Sequence, residues 1–432
     1  MTTFPLVARI GKRISAFVGA QSSVQLLNAV TGLLLLRLLP KPEFAIYAVA
    51  LGLQGTIGTL TDLGFGGAIA GLVGTRYRDK QVLGSYVGAA SYIRRVLMLI
   101  VSVIAVICIV WFRNLTIAGH GKGEVLFLAV SVLVTVQFQA WASYYEVPLL
   151  LNNRMASYYS PQIGAAILRL ACAFILYYAH AISSTTMVIV NTMSIVVMGL
   201  SYRYLAQRWI EVPRALSKEH AREMIRFLIP VVPGSVYQSL QGQVSLFLIT
   251  AFGHIGQVAE VAAVGRIGQL FLLLNSSNGV LVGPLFAKTP RALFMKRYIY
   301  CLGAAGAVAL LVAASVKLWP GLYLLLLGAK YNGLTAQVQL VVFASAIGYF
   351  AGTMWSVAVA RKWIFWWSGS LQIVLLTVIQ VICVAYLPLN TSEGVLEMGI
   401  FTACGALAVQ VVHVIQGLTR HANAEEASAL TS

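Results

Sequence analysis

This sequence is poor in charge, and in acid above all. Of its 432 residues only 13 are Asp or Glu, and charged residues make up 10% of the chain, against roughly 25% in ordinary soluble domains. A water-soluble fold is excluded, because so few polar groups cannot cover the apolar surface of a chain that is 59% hydrophobic. Cysteine is scarce as well: Cys108, Cys172, Cys301, Cys383 and Cys404 all lie in apolar runs, without C-x-x-C spacing. They read as small membrane-buried residues, so neither a disulfide framework nor a metal site is expected. Also missing are a Walker loop, a nucleophile elbow, an H-E-x-x-H motif and a pair of catalytic carboxylates. Since the outer loops are too short to build a glycan polymerase, no enzyme is expected.

What is present is long apolar sequence. A hydrocarbon core about 30 Å thick needs about 20 helical residues to cross it, and such runs recur at 15–39, 43–74, 95–112, 124–150, 161–179, 183–205, 227–252, 256–286, 298–317, 335–358, 363–387 and 394–418. The expected fold is therefore an all-α integral membrane protein with about twelve transmembrane helices. Arg9, Lys12 and Arg13 precede a first run too long for the core of a cleaved signal peptide.

Charge tests this topology. With both termini in the cytoplasm, 22 of the 30 Lys and Arg residues fall inside, and only Arg37, Lys41, Arg113, Lys122, Lys317 and Lys330 fall outside. That is the asymmetry of the positive-inside rule. It also accounts for the net charge of +17 without a nucleic-acid partner.

The polar stretch before residue 227 splits the chain into an N-terminal six-helix lobe at 1–207, a cytoplasmic linker at 208–226, a C-terminal six-helix lobe at 227–418 and a cytoplasmic tail at 419–432. Ser23-Val24 can be laid on Ser235-Val236, and Glu43–Val49 on Gln257–Ala263. Halves of six spans each would be parallel repeats around a central cavity.

An ionisable group within hydrocarbon is costly, so each one inside a span is a candidate for function. Asp62 lies in Thr61-Asp62-Leu63-Gly64-Phe65-Gly66-Gly67, where clustered glycines suggest a break. It reads either as a carboxylate that takes up a proton or cation, or as an inner-end Asp satisfied by its own backbone or a basic loop residue. Arg169 and Arg266, one in each half, read as cavity cations for an anionic headgroup or as members of structural pairs with Glu146, Glu260 or a carbonyl. Glu260 is a coupling candidate or an outer-interface residue. Pro230 and Pro233 mark a hinge or simply the start of span seven. Gln238 and Gln241 then give that span a polar face, for a cavity or for neighbouring helices. Arg37, Arg94, Arg95 and Glu146 fall near expected span ends, where long side chains can reach the interface.

Two stretches carry a family resemblance. Leu33-Leu34-Leu35-Leu36-Arg37-Leu38-Leu39-Pro40-Lys41-Pro42-Glu43-Phe44-Ala45-Ile46-Tyr47-Ala48 and then Thr61-Asp62-Leu63-Gly64-Phe65-Gly66 resemble the opening of polysaccharide flippases. These belong to the multidrug/oligosaccharidyl-lipid/polysaccharide (MOP) exporter superfamily. Ala45 stands where such proteins typically have Gly, and the specific likeness covers roughly residues 20–75. The resemblance implies flipping of polyprenyl-diphosphate-linked oligosaccharides from the cytoplasmic to the outer leaflet of a bacterial inner membrane, for O-antigen, capsule or exopolysaccharide. It further implies alternating access driven by a proton or sodium gradient with no cofactor, a cationic cavity holding Arg169 and Arg266, and Asp62 as the coupling residue. Membrane lipids and other polysaccharide-assembly proteins would be its partners. A cation-coupled drug exporter of the same superfamily and a membrane glycan polymerase or scaffold are the alternatives.

Overall fold

Inside a bilayer a segment has to satisfy its own backbone hydrogen bonds, and a helix does so within one stretch of chain. The computed structural model describes the backbone of residues 4–62, 65–111, 122–152, 154–213, 217–229, 232–278, 282, 285–286, 289, 291–361, 363, 365 and 367–429, and no strand occurs among them. The helices are α1 (Phe4–Leu38), α2 (Lys41–Asp62), α3 (Phe65–Val73), α4 (Lys80–Trp111), α5 (Lys122–Leu151), α6 (Met155–Tyr178), α7 (Ser184–Ala206), α8 (Lys218–Leu228), α9 (Val232–Gln241), α10 (Val244–Phe252), α11 (Ile255–Ser277), α12 (Arg291–Leu318), α13 (Pro320–Leu327), α14 (Thr335–Ala360), α15 (Ser368–Tyr386) and α16 (Ser392–Ala429).

Among the described residues, nine helical stretches are long and apolar enough to cross a membrane: α2 with α3, α4 to α7, α12, and α14 to α16. The other three expected spans correspond to α1, to α9 with α10, and to α11. Large apolar side chains stand exposed along these helices, Leu310 at 72% and Val381 at 63% among them. In water that would be prohibitive, whereas a lipid-facing surface requires it.

The chain forms two compact units, residues 19–246 and residues 1–18 with 247–432. The lobe boundaries expected from the linker and this division by packing differ over 1–18 and over 227–246. Part of the cause is α8, which docks in the first unit: Ala221, Met224 and Leu228 are buried, joining a core with Phe65, Ile69, Leu83, Tyr86 and Tyr144. In addition, α9 packs on α2.

Within each unit the same pattern of neighbours occurs. In the first, α2 packs on α5 and α7, α4 on α5, and both α5 and α6 on α7; in the second, α11 packs on α14 and α16, α12 on α14, and both α14 and α15 on α16. Counted along the spans, these are the same pairings, as parallel repeats demand.

Two local features corrected the span boundaries. Asp79 Oδ1 accepts the backbone N–H groups of Gln81 at 2.9 Å and Val82 at 3.2 Å, an N-cap that starts α4 at Lys80 rather than near Arg95. Arg94 and Arg95 therefore lie four turns into a helix instead of at its end. In span seven, Pro233 falls in the first turn of α9, where no intrahelical hydrogen bond is lost; Pro230 lies outside the described residues.

The connection after α7 is strapped to the start of α4, Glu211 N–H donating to the Lys80 carbonyl at 3.0 Å. A Cβ at Gly84 would overlap the carbonyl of Glu211. Gly84→Ala should therefore force the strap away and destabilise the first unit by about 1–3 kcal/mol, the usual size of an overpacking penalty. A lowered thermal midpoint of the purified protein would register it; an unchanged midpoint would mean that the strap contributes nothing.

Candidate functional site

The first unit holds a set of charges that the sequence had placed apart. Arg94 Nη1 donates to Asp62 Oδ1 at 2.8 Å and to Ser143 Oγ at 2.7 Å. The pair joins the last residue of α2 to the middle of α4, with α5 supplying the hydroxyl. Arg94 is only 2% exposed, and its Nε has no acceptor among the described residues. One turn further along α5 is Glu146, within electrostatic reach of Asp62 and of Tyr158, Tyr159 and Tyr202. Tyr202 is occupied, its hydroxyl donating to the Tyr158 carbonyl and accepting from Gln162 Nε2 at 2.8 Å. Of the two readings of Asp62, then, the geometry has it paired with a basic residue. That residue lies deep in a helix, not in a loop.

A neutral polar chain crosses the same unit. Asn191 Nδ2 donates to Gln54 Oε1 at 2.8 Å, and Gln54 Nε2 to Gln139 Oε1 at 3.3 Å, linking α7, α2 and α5. Gly52, Gly55 and Gly58 make room beside it: Gln243 lies over Gly52 and Gly55, and Gln139 over Gly58.

Arg169, in the middle of α6, is half-buried, and its Nε has no acceptor among the described residues. It enters no ion pair among them. Gln241 ends α9, half-buried, whereas the side chain of Gln238 lies outside the described residues.

In the second unit, Arg266 Nη1 donates to Gln269 Oε1 at 3.1 Å, one turn along α11. Glu260 accepts from Ser392 Oγ at 2.8 Å, at the first turn of α16. Gln337 Nε2 reaches Ser392 Oγ at 3.4 Å and Glu393 Oε1 at 3.3 Å. Burial pushes the nearby Tyr331 hydroxyl up to about 12, and the charge of Glu260 adds to the shift. The first unit has a counterpart: Glu43, at the start of α2, accepts the backbone N–H of Ser184 at the start of α7 at 2.6 Å. In both units a carboxylate on the second span of the half thus holds the N-terminal turn of the sixth, where the helix dipole favours negative charge.

Ser143, Gln54, Gln139 and Asn191 were not singled out from the sequence, and Arg94 was placed near a span end. The Asp79 cap was the signal that would have moved Arg94 inward; nothing comparable marks the three amides, whose partners are distant in the chain. Among the described residues no group of His, Cys, Asp and Glu could hold a metal.

Helices of this number and pairing, carrying buried charge in their interior, define a multi-pass membrane protein with the fold of MOP-superfamily transporters. A multidrug-resistance MATE transporter of that superfamily, solved in an inward-facing conformation, superposes with a TM-score of 0.67 at 16% identity, covering 93% of this chain and 96% of the other. A MOP-superfamily transporter from Pyrococcus furiosus, described as having a binding pocket of reversed polarity, gives 0.58 at 16% identity over 96% and 95%. A Vibrio cholerae MATE transporter gives 0.58 at 14% identity over 97% of each. None of the curated proteins compared matches the chain. Residues 10–289 match the family described as polysaccharide biosynthesis protein, and the chain belongs to that family, as the motifs of its first two helices led one to expect.

Arg94 is buried while the Asp62 side chain is 37% exposed, so removing Asp62 strands a buried charge. Asp62→Ala leaves Arg94 with only the Ser143 hydroxyl and should destabilise the protein, by less than the ~3–5 kcal/mol of a fully buried pair. The double variant Asp62→Asn/Arg94→Gln, which strands no charge, should cost less. Thermal denaturation of the three proteins in detergent tests this; a double variant no more stable than Asp62→Ala would show that the two residues do not support each other.

Proposed function

We propose that this protein flips polyprenyl-diphosphate-linked oligosaccharide repeat units from the cytoplasmic to the outer leaflet of a bacterial inner membrane, for surface polysaccharide. The family match supports polysaccharide assembly as the setting, and the fold supports transport as the activity. The observation that carries the choice of substrate is Arg169, a cation in the middle of an apolar helix with no carboxylate beside it among the described residues. A guanidinium so placed suits a diphosphate, whose oxygens accept two parallel hydrogen bonds from it. Arg266 is its proposed counterpart in the other half. Both residues would offer charge to the headgroup while the polyprenyl tail stays in lipid.

In this reading the two halves alternate in access, Pro230 and Pro233 serve as the hinge, and Gln238 and Gln241 line the polar path. A proton or sodium gradient drives the cycle through the carboxylates of the two halves, Glu260 in the second and the cluster held by Asp62 in the first. The termini are cytoplasmic, in keeping with the distribution of Lys and Arg.

The multidrug exporter reading has one observation in its favour, the excess of acid over base at Asp62, Glu146 and Arg94, which would suit a cationic drug. The two readings part in a deletion strain. Loss of a flippase should leave the lipid-linked repeat unit on the cytoplasmic leaflet while its synthesis continues, and restoring the gene should release it. Normal transfer with drug sensitivity would favour the exporter. In the complemented strain, Arg169→Ala and Arg266→Ala should each lower surface glycan several-fold more than the corresponding lysine variants, since lysine keeps the charge and loses only the fork. Wild-type glycan in all four variants would sink the proposal.

A further inference from the structure

The charges gathered around Arg94 do not balance. Asp62, Arg94 and Glu146 amount to two carboxylates and one guanidinium, and the guanidinium is committed: Nη1 serves Asp62 and Ser143. Ser143 and Glu146 are three residues apart on α5, so they share a face, and Glu146 sits one turn from the pair. Asp62 is its nearest charged neighbour from α2. Tyr158 and Tyr159 face it from α6 and Tyr202 from α7. From α4 come Arg94 and Arg95, both acting on Tyr144 of its own helix; α3 offers no titratable group. No hydrogen bond to the Glu146 carboxylate is found among the described residues.

An ionised Glu146, half-buried, would therefore leave one negative charge of the cluster without a partner in a membrane-crossing helix. Arg94, nine-tenths buried and more, with an Nε that still lacks an acceptor, shows that the cluster is not a closed salt-bridge network.

We propose that Glu146 is the proton-exchanging carboxylate of this unit, with the Asp62–Arg94 pair as a fixed counter-charge beside it. A proton from water adds to a carboxylate oxygen of Glu146 and brings the cluster from a net charge of −1 to neutrality; its release to water restores the charge. In a transporter this is the step that a proton gradient would drive, and to that extent the role rests on the reading above. Asp62, held by Arg94, positions the charge and does not itself carry the proton.

The site can be read without any substrate. In the full-length protein in lipid nanodiscs, infrared difference spectra taken across a pH titration should show a carboxylic C=O band that appears and disappears with pH. That band should be lost in Glu146→Gln, displaced in frequency in Glu146→Asp, and retained in Asp62→Asn/Arg94→Gln and in Glu260→Gln. Survival of the band in Glu146→Gln, or absence of any titrating band in the unmodified protein, would overturn the proposal. The aspartate variant guards against a misfolded glutamine variant, since a correctly folded Glu146→Asp with an unshifted band overturns it too. If the band belongs to Glu146 while lipid-linked glycan crosses the membrane normally without the protein, the flippase reading fails and the proton site stands.

Discussion

An arginine in the interior of a membrane-crossing helix is costly unless its charge is answered, and Arg94 is answered by Asp62. The pair fixes much else in the first unit. Asp62 must come to the level of Arg94, which sets the height of α2 against α4; Ser143 must complete the guanidinium's bonding, which sets the rotation of α5. Once α5 is so turned, Glu146 follows one turn later on the same face. The position of the acid is thus a consequence of how the base is satisfied.

The chain meets its constraints twice. Span by span, the neighbours within residues 19–246 repeat among those of the second unit, and a carboxylate on the second span of each half holds the start of the sixth. The aligned sequences hardly show this, because lipid-facing positions accept any apolar residue and similarity there is easily lost. Helix pairing is kept because it depends on which faces are small or polar, not on particular side chains. The ion pair has no such echo among the described residues of the second unit.

Composition and run length made the all-helical membrane fold legible, since the cost of leaving backbone groups unbonded in lipid admits few alternatives. The motifs around Glu43 and Asp62 made the family legible. What stayed hidden was the partner of Asp62. A sequence read for hydropathy treats adjacent arginines as the edge of a span, so Arg94 and Arg95 were set at a border that the Asp79 cap in fact places at Lys80. The Gln54, Gln139 and Asn191 chain was hidden for a different reason: a neutral amide scarcely lowers the hydropathy of a run, and its partner on another helix leaves no local signature. Glu260 shows the converse case, where the sequence left two roles open and the structure supplies a bonding partner, Ser392, without excluding either.

The two carboxylate clamps differ in what they hold, and the difference bears on how each copy can drift. Glu43 grips a main-chain N–H of Ser184, a donor that every residue except proline provides, so selection has little to act on at that position. Glu260 grips the hydroxyl of Ser392, which a single nucleotide change can abolish. Their evolutionary exposure is unequal: one clamp depends on the side chain of Glu43 alone, the other on those of Glu260 and Ser392 together.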